Sequence, residues 1–197
     1  MRWRHCKTEL THTFIDLGSS PPSNAYITKD VLQEAERCYP LKVMVCDRCW
    51  LVQTEDFVKA DEMFANDYAY FSSYSTSWLK HAKSYVEQVS SKFDLNSEST
   101  VVEIAANDGY LLQYVKDKKI PCYGIEPTYS TAQAAREKGI EIIEDFFGVD
   151  IASGLEKQGR QANLIVANNV LAHVPDINDF VKGFSILLTP NGVATFE

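Results

Sequence analysis

The spacing of apolar positions along the chain changes twice. Before residue 56 the apolar runs are short. Thr11–Leu17 and Leu41-Lys42-Val43-Met44-Val45-Cys46 read as strands, and Trp50-Leu51-Val52-Gln53 returns after a turn. Gly18-Ser19-Ser20-Pro21-Pro22-Ser23-Asn24 has the composition of a loop. From about Ser75 the period becomes helical. Trp78, Ala82, Tyr85, Val86 and Val89 recur on one face, which predicts a helix to about Phe93. From Thr100 onward strand and helix alternate. The strand-like runs are Val101–Ala105, Cys122–Ile125, Ile140–Ile143, Leu164–Ala167 and Val193–Phe196. Between them lie helix-like Gly109–Lys118, Ser130–Lys138, Val149–Gln158 and Asn178–Leu188. This rhythm calls for an α/β fold with a parallel, doubly wound sheet and right-handed crossovers. Three parts follow: residues 1–56, an aromatic loop and linking helix over 57–98, and an α/β domain over 99–197.

Composition agrees with a globular body. The 197 residues are 45% hydrophobic and 23% charged, and no run approaches the ~18 apolar residues of a membrane span. The start, Met1-Arg2-Trp3-Arg4-His5-Cys6-Lys7, has no apolar stretch of the secretory kind, so a cytoplasmic protein is expected. The net charge of −8 lies wholly in residues 61–197, since residues 1–60 carry eight basic and eight acidic side chains. An acidic body argues against a nucleic-acid footprint, which needs clustered Lys and Arg.

Four of the five cysteines fall in the first 49 residues: Cys6, Cys38, Cys46 and Cys49, with Cys122 apart. Cys46-Asp47-Arg48-Cys49 is a C-x-x-C turn, the spacing that brings two thiolates to one Zn²⁺. A hairpin carrying that turn is a zinc-ribbon layout, in which a metal supplies stability that a small core cannot. Cys6 offers a third ligand. Its own C-x-x-C partner position is Trp3, which leaves His5, His12 or Cys38 to complete the set.

In doubly wound sheets ligands bind at the carboxyl ends of the strands, near the switch point. The first α/β strand runs into Glu103-Ile104-Ala105-Ala106-Asn107-Asp108-Gly109. Small residues there allow close backbone approach, Gly109 tolerates a tight turn, and Asp108 is placed to cap the next helix. A single Gly is not the dinucleotide fingerprint. The second strand ends in Glu126-Pro127, 23 residues after Glu103, where a carboxylate can take both hydroxyls of a ribose. The third leads to Asp145-Phe146, an acid and a ring suited to adenine, although core packing explains the phenylalanines equally well. The fourth ends in Asn168-Asn169, with His173 close behind as a candidate acid/base. The interleaved polar and aromatic run Asn66-Asp67-Tyr68-Ala69-Tyr70-Phe71-Ser72-Ser73 reads as a loop rather than core.

Taken in order, several stretches resemble the S-adenosylmethionine-dependent C-methyltransferases of nucleotide-deoxysugar biosynthesis. They are Leu17-Gly18 with Pro22-Ser23-Asn24-Ala25, Tyr39-Pro40-Leu41 with Cys46-Asp47-Arg48-Cys49, Asp67–Ser73, Val102–Leu112, Gly124–Pro127 and Asn168–Asp176. The resemblance implies a zinc-binding module ahead of a Rossmann-like class I methyltransferase sheet. It implies cofactor contacts from Glu103, Ala105, Asn107, Glu126 and Asn169; the strand ends themselves add Gly109, Pro127, Asp145, Phe146 and Asn168 as cofactor-binding candidates. It implies catalytic or substrate-side roles for His173 and for Tyr68 or Tyr70. Zinc ligation carries over to Cys6, Cys46 and Cys49, with Trp3 where the family has its first Cys. A nucleotide-linked keto-sugar is the implied substrate, methylated beside its ketone through an enolate. The family sheet has seven strands, so a chain reaching Glu197 after the fifth reads as the N-terminal portion of a longer enzyme. A non-catalytic donor- or zinc-binding module that needs a partner is the alternative, and a nicotinamide enzyme is disfavoured.

Overall fold

The computed structural model describes residues 2–23, 26–57 and 70–197. The chain divides into two compact units. One contains the segment up to Ala69 together with Pro175–Asn178; the other contains Tyr70–Val174 and Asp179–Glu197.

The first unit is built on a three-stranded antiparallel sheet: β1 (His12–Ser20), β2 (Tyr39–Val45) and β3 (Val52–Thr54), in that order. The hairpin expected around the C-x-x-C turn is present, with Val45 paired to Val52. β1 runs three residues further than composition predicts. Gly18 adopts φ +81°, the Asp16 carboxylate accepts its N–H at 2.9 Å, and the register slips between Asp16 and Ser19. A bulge therefore keeps Ser19 and Ser20 in the ladder where a loop would have ended it. The core of this unit is small: Trp3, Met44 and Cys46 are buried, with Cys6, Leu10, Cys49 and Leu51 packed around them.

The second unit starts with α1 (Thr76–Lys92), capped by Ser75, whose hydroxyl accepts the Trp78 N–H. Five parallel strands follow: β4 (Val101–Ile104), β5 (Cys122–Ile125), β6 (Glu141–Ile143), β7 (Ala162–Ala167) and β8 (Leu188–Phe196). Their order is β6-β5-β4-β7-β8. The chain winds outward from β4 to β6, then returns to lay β7 on the other side of β4. The switch point therefore lies between β4 and β7. The crossovers are α2 (Leu112–Asp117), α3 (Tyr129–Glu137), α4 (Val149–Lys157) and α5 (Ile177–Leu187).

Alternation along β4 divides the core. Val101 joins Ala82, Val86, Leu112, Val115, Ala132 and Ala135 on one face. Val102 and Ile104 join Ala152, Leu155, Phe180 and Phe184 on the other. Phe147 meets Phe180 and Phe184 edge-on, with ring centroids 5.6 and 5.2 Å away, so it is core. Two boundaries of the sheet unit differ from the periodicity by three residues or more. α2 starts three residues after Gly109, because the intervening backbone is a non-helical turn. β8 starts at Leu188, five residues early, with a slipped register beside Ala162 that takes in Pro190 and Gly192. Among the described residues no helix is long and apolar enough to cross a membrane.

Candidate functional site

The first candidate centre lies in the β-module. The sulfurs of Cys6, Cys46 and Cys49 lie within 4.8 Å of one another. Cys46 directly follows β2 and is fully buried. Its Sγ accepts the N–H groups of Arg48 and Cys49 at 3.4 Å each and sits 3.6 Å from Cys6 Sγ. Burial raises the Cys46 thiol, but the Cys49 and Arg48 N–H groups outweigh it and bring the pKa down to about 6. At Cys49 the Leu51 N–H pulls down, while burial and the neighbouring sulfurs of Cys46 and Cys6 push up and prevail. A thiolate ready to form at neutral pH, with two more sulfurs in reach, is the donor set that zinc takes. Of the side chains considered for a fourth ligand, none of His5, His12 and Cys38 places a donor atom in this group. Cys38 is exposed, and His12 pairs with Asp47 at 3.5 Å.

The second centre is the carboxyl end of the parallel sheet. Between β4 and α2, Ala105, Asn107 and Gly109 have φ of +56°, +49° and +73°. The N–H groups of this turn are held by the protein: Ala106 donates to the Ile125 carbonyl at 3.2 Å, Asn107 to Glu126 and Gly109 to the Ala106 carbonyl at 3.0 Å. Left-handed conformation costs a residue with a Cβ on the order of 1–3 kcal/mol, and such strain persists where surrounding bonds enforce it. Asn107 shows those bonds. Its N–H donates to Glu126 Oε2 at 2.9 Å, its Oδ1 accepts the Ser72 N–H at 2.8 Å, and its Nδ2 donates to the Tyr70 carbonyl at 3.0 Å. Glu126, at the end of β5, also accepts the Thr128 N–H through Oε1 at 2.9 Å. Burial raises its carboxyl pKa despite the lowering by these two N–H donors. Pro127 follows, half-buried.

Across the switch point Asn168 leaves β7, and its Nδ2 donates to the Tyr110 hydroxyl at 3.2 Å. Asn169 is exposed, left-handed at φ +51°, and donates its N–H to the Glu197 carbonyl at 2.7 Å. His173 closes a 3-10 turn, Leu171–His173, with its ring exposed. Tyr70 is half exposed, and Tyr68 lies outside the described residues. Asp145 and Phe146 follow β6 at the sheet's outer edge. Asp145 Oδ1 accepts the Phe146 N–H at 2.7 Å, and the Phe146 ring is 46% exposed.

Glu103 is elsewhere. It sits inside β4 with no exposed surface, and neither carboxylate oxygen has a hydrogen-bond partner among the described residues. Burial holds its carboxyl well above the ordinary range; the nearby Tyr110 hydroxyl works against this, and Glu126 and Asp108 add to it. Asp108 is likewise buried, and the helix-capping role expected of it is not what it does. It accepts the N–H and hydroxyl of Ser73, and Lys138 Nζ lies 3.4 Å from its carboxylate. Ser72, Ser73 and Tyr110 are the site residues that sequence patterning missed. Tyr110 stacks on Trp78 at 5.8 Å, and burial raises its hydroxyl strongly. Nothing in the spacing pairs Ser73 with a residue 35 positions away.

A three-thiol module followed by an α/β sheet with a strained ligand turn has counterparts among known proteins. Residues 4–64 match the family described as "Putative zinc binding domain" (Methyltransf_13), and residues 102–194 match a methyltransferase domain family (Methyltransf_12). A match to the first family thus precedes a match to a methyltransferase domain family along the chain. Among individual proteins it is similar to the C-methyltransferase NovU of Streptomyces niveus, 27% identical over 183 residues, which is 93% of this chain. The chain spans 43% of that relative's length. Solved structures of lower likeness include Streptomyces venezuelae DesVI, with 18% identity and TM-score 0.49 over 63% of this chain and 52% of that one. An S-adenosylmethionine-dependent methyltransferase from Clostridium acetobutylicum gives 17% and 0.47 over 60% and 49%.

Proposed function

We propose that this chain binds the methyl donor in the S-adenosylmethionine-dependent C-methylation of a nucleotide-linked keto-deoxysugar through an enolate. The observation that carries this reading is the Asn107–Glu126 connection. It fixes a carboxylate and a left-handed turn together at the carboxyl ends of adjacent strands, beside the switch point. The donor set fits the cofactor. Glu126 retains lone pairs beyond the two that its backbone N–H donors occupy, and these suit ribose hydroxyls. Ala105, Asn107 and Gly109 shape the turn against the amino-acid end, with Asn168 and Asn169 opposite. Asp145 and Phe146 offer an acid and a ring face to adenine.

Bound there, S-adenosylmethionine supplies an electrophilic methyl group. The chain's own residues have the remaining tasks. His173, exposed beyond β7, takes the α-proton of the ketone substrate. Tyr70, with Tyr68 as the neighbouring candidate, donates a hydrogen bond to the enolate oxygen. Asn107, by holding Ser72 and Tyr70, keeps that tyrosine segment against the cofactor turn. In this reading Glu103 acts from behind the turn, as a buried acid next to Tyr110. The zinc module at Cys6, Cys46 and Cys49 is structural. The proposal is tested by following a labelled methyl group onto a nucleotide-linked keto-deoxysugar, with solvent deuterium at the α-carbon monitored without the cofactor. Exchange that disappears in His173→Ala supports the enolate route. Methyl transfer to oxygen or nitrogen refutes it.

A further inference from the structure

The three sulfurs leave one corner of a tetrahedron open, and the chain brings a hydroxyl oxygen, that of Thr8, beside two of them. With zinc–sulfur bonds of about 2.3 Å and tetrahedral angles, two sulfurs stand about 3.8 Å apart, and a sulfur and an oxygen about 3.6 Å apart. Cys6 and Cys46 Sγ are separated by 3.6 Å. Thr8 Oγ1 lies 3.0 Å from Cys6 Sγ and 3.8 Å from Cys46 Sγ. The backbone explains why it is there. Residues 3–8 close a tight loop in which the Trp3 N–H donates to the Thr8 carbonyl at 2.9 Å and Lys7 is left-handed at φ +59°. Thr8 is therefore the residue directly opposite Trp3. Trp3 stands at the C-x-x-C partner position of Cys6, and its indole is 1% exposed in the module's core. The position that would carry a fourth sulfur is filled with packing, and a hydroxyl reaches two of the sulfurs from across the loop.

We infer that this chain binds zinc through three thiolates and one oxygen held at Thr8, either the hydroxyl itself or a water bonded to it. The inference rests on the zinc reading of Cys6, Cys46 and Cys49. A water or alcohol in the fourth position is exchangeable in a way that a fourth thiolate is not, because only closed sites exclude outside ligands.

The test is X-ray absorption at the zinc edge on the full chain loaded with one equivalent of Zn²⁺, alongside chelator competition. The expected coordination is three sulfurs and one oxygen. Thr8→Val, nearly the same shape without the hydroxyl, is expected to lower zinc affinity at least about tenfold, and Thr8→Ser is expected to restore it. Loss of the oxygen from the Thr8→Val spectrum assigns the hydroxyl as ligand; its retention with weakened binding assigns a water. Both outcomes support the inference. A fourth sulfur, the outer-shell pattern of an imidazole, or Thr8→Val binding zinc as tightly as the parent overturns it, while the three-cysteine reading stands. Failure of the parent chain to bind zinc overturns both.

Discussion

Glu126 Oε2 accepts the backbone N–H of Asn107 at 2.9 Å, so the acid ending β5 is bonded directly to the strained turn that follows β4. The other oxygen accepts the Thr128 N–H. One carboxylate therefore sets the shape of the turn and is itself oriented for a ligand. Glu126→Gln breaks this symmetry, because an amide nitrogen must then face one of the two N–H groups. Loss of a buried, charge-assisted bond costs about 1.5–3 kcal/mol. The expected result is a drop in unfolding stability of that order, with S-adenosylhomocysteine affinity falling about tenfold or more. Denaturant melts and calorimetry measure the two effects separately.

At Gly109 the backbone and the packing impose the same requirement. Its φ is +73°, and a Cβ there would stand 2.5 Å from Ile140 Cδ1 and 3.2 Å from Ala135 Cβ. Left-handed strain of about 1–2 kcal/mol adds to overpacking of about 1–3 kcal/mol. Gly109→Ala is expected to lower stability by about 2–5 kcal/mol in urea unfolding. A change below about 0.5 kcal/mol would mean that the turn relaxes freely.

Glu103 gives the fold a pH dependence. Burial raises its carboxyl well above the ordinary value. An acid with a raised folded-state pKa contributes stability that is fully present below its unfolded pKa of about 4.3, and the contribution is lost as pH rises through the folded pKa. Glu103→Gln, which cannot ionise, is expected to be more stable than the parent at pH 8, with the difference shrinking toward pH 5. Burial raises Glu126 as well, so a weaker slope of the same sign remains in the variant. Parallel melts from pH 5 to pH 8 check this. A parent whose stability rises with pH while the variant's does not would contradict it.

His173 is exposed, so its removal is expected to leave stability within about 0.5 kcal/mol of the parent. His173→Ala is expected to lower methyl-transfer turnover by about 10²–10⁴-fold, the usual worth of a positioned acid or base. Cofactor affinity should stay nearly unchanged. Steady-state kinetics beside cofactor titration read both, and unchanged turnover would remove His173 from the catalytic set.

The strand–helix alternation after residue 100 was legible because buried parallel strands such as Leu164–Ala167 are continuous apolar runs, which few other structures share. The candidate residues at the strand ends were legible for the same reason, since strand order alone says where ligands bind. Local competition hid the rest. Gly18 made Ser19 and Ser20 look like loop, whereas a bulge carries the ladder past it. Asp108 had the chemistry and position of a helix cap, yet it bonds Ser73 across 35 residues. Phe147, beside Phe146, belongs to the core, and only packing separates the two. Thr8 carried no signal at all, because its place beside the sulfurs depends on the loop that closes at Trp3.

The most direct test of the central claim is calorimetric titration of the chain with S-adenosylhomocysteine and, in parallel, with NAD. The account predicts saturable, one-to-one binding of S-adenosylhomocysteine that weakens in Glu126→Gln, and no heat with NAD. Binding of NAD, or S-adenosylhomocysteine binding that is indifferent to Glu126, would contradict it.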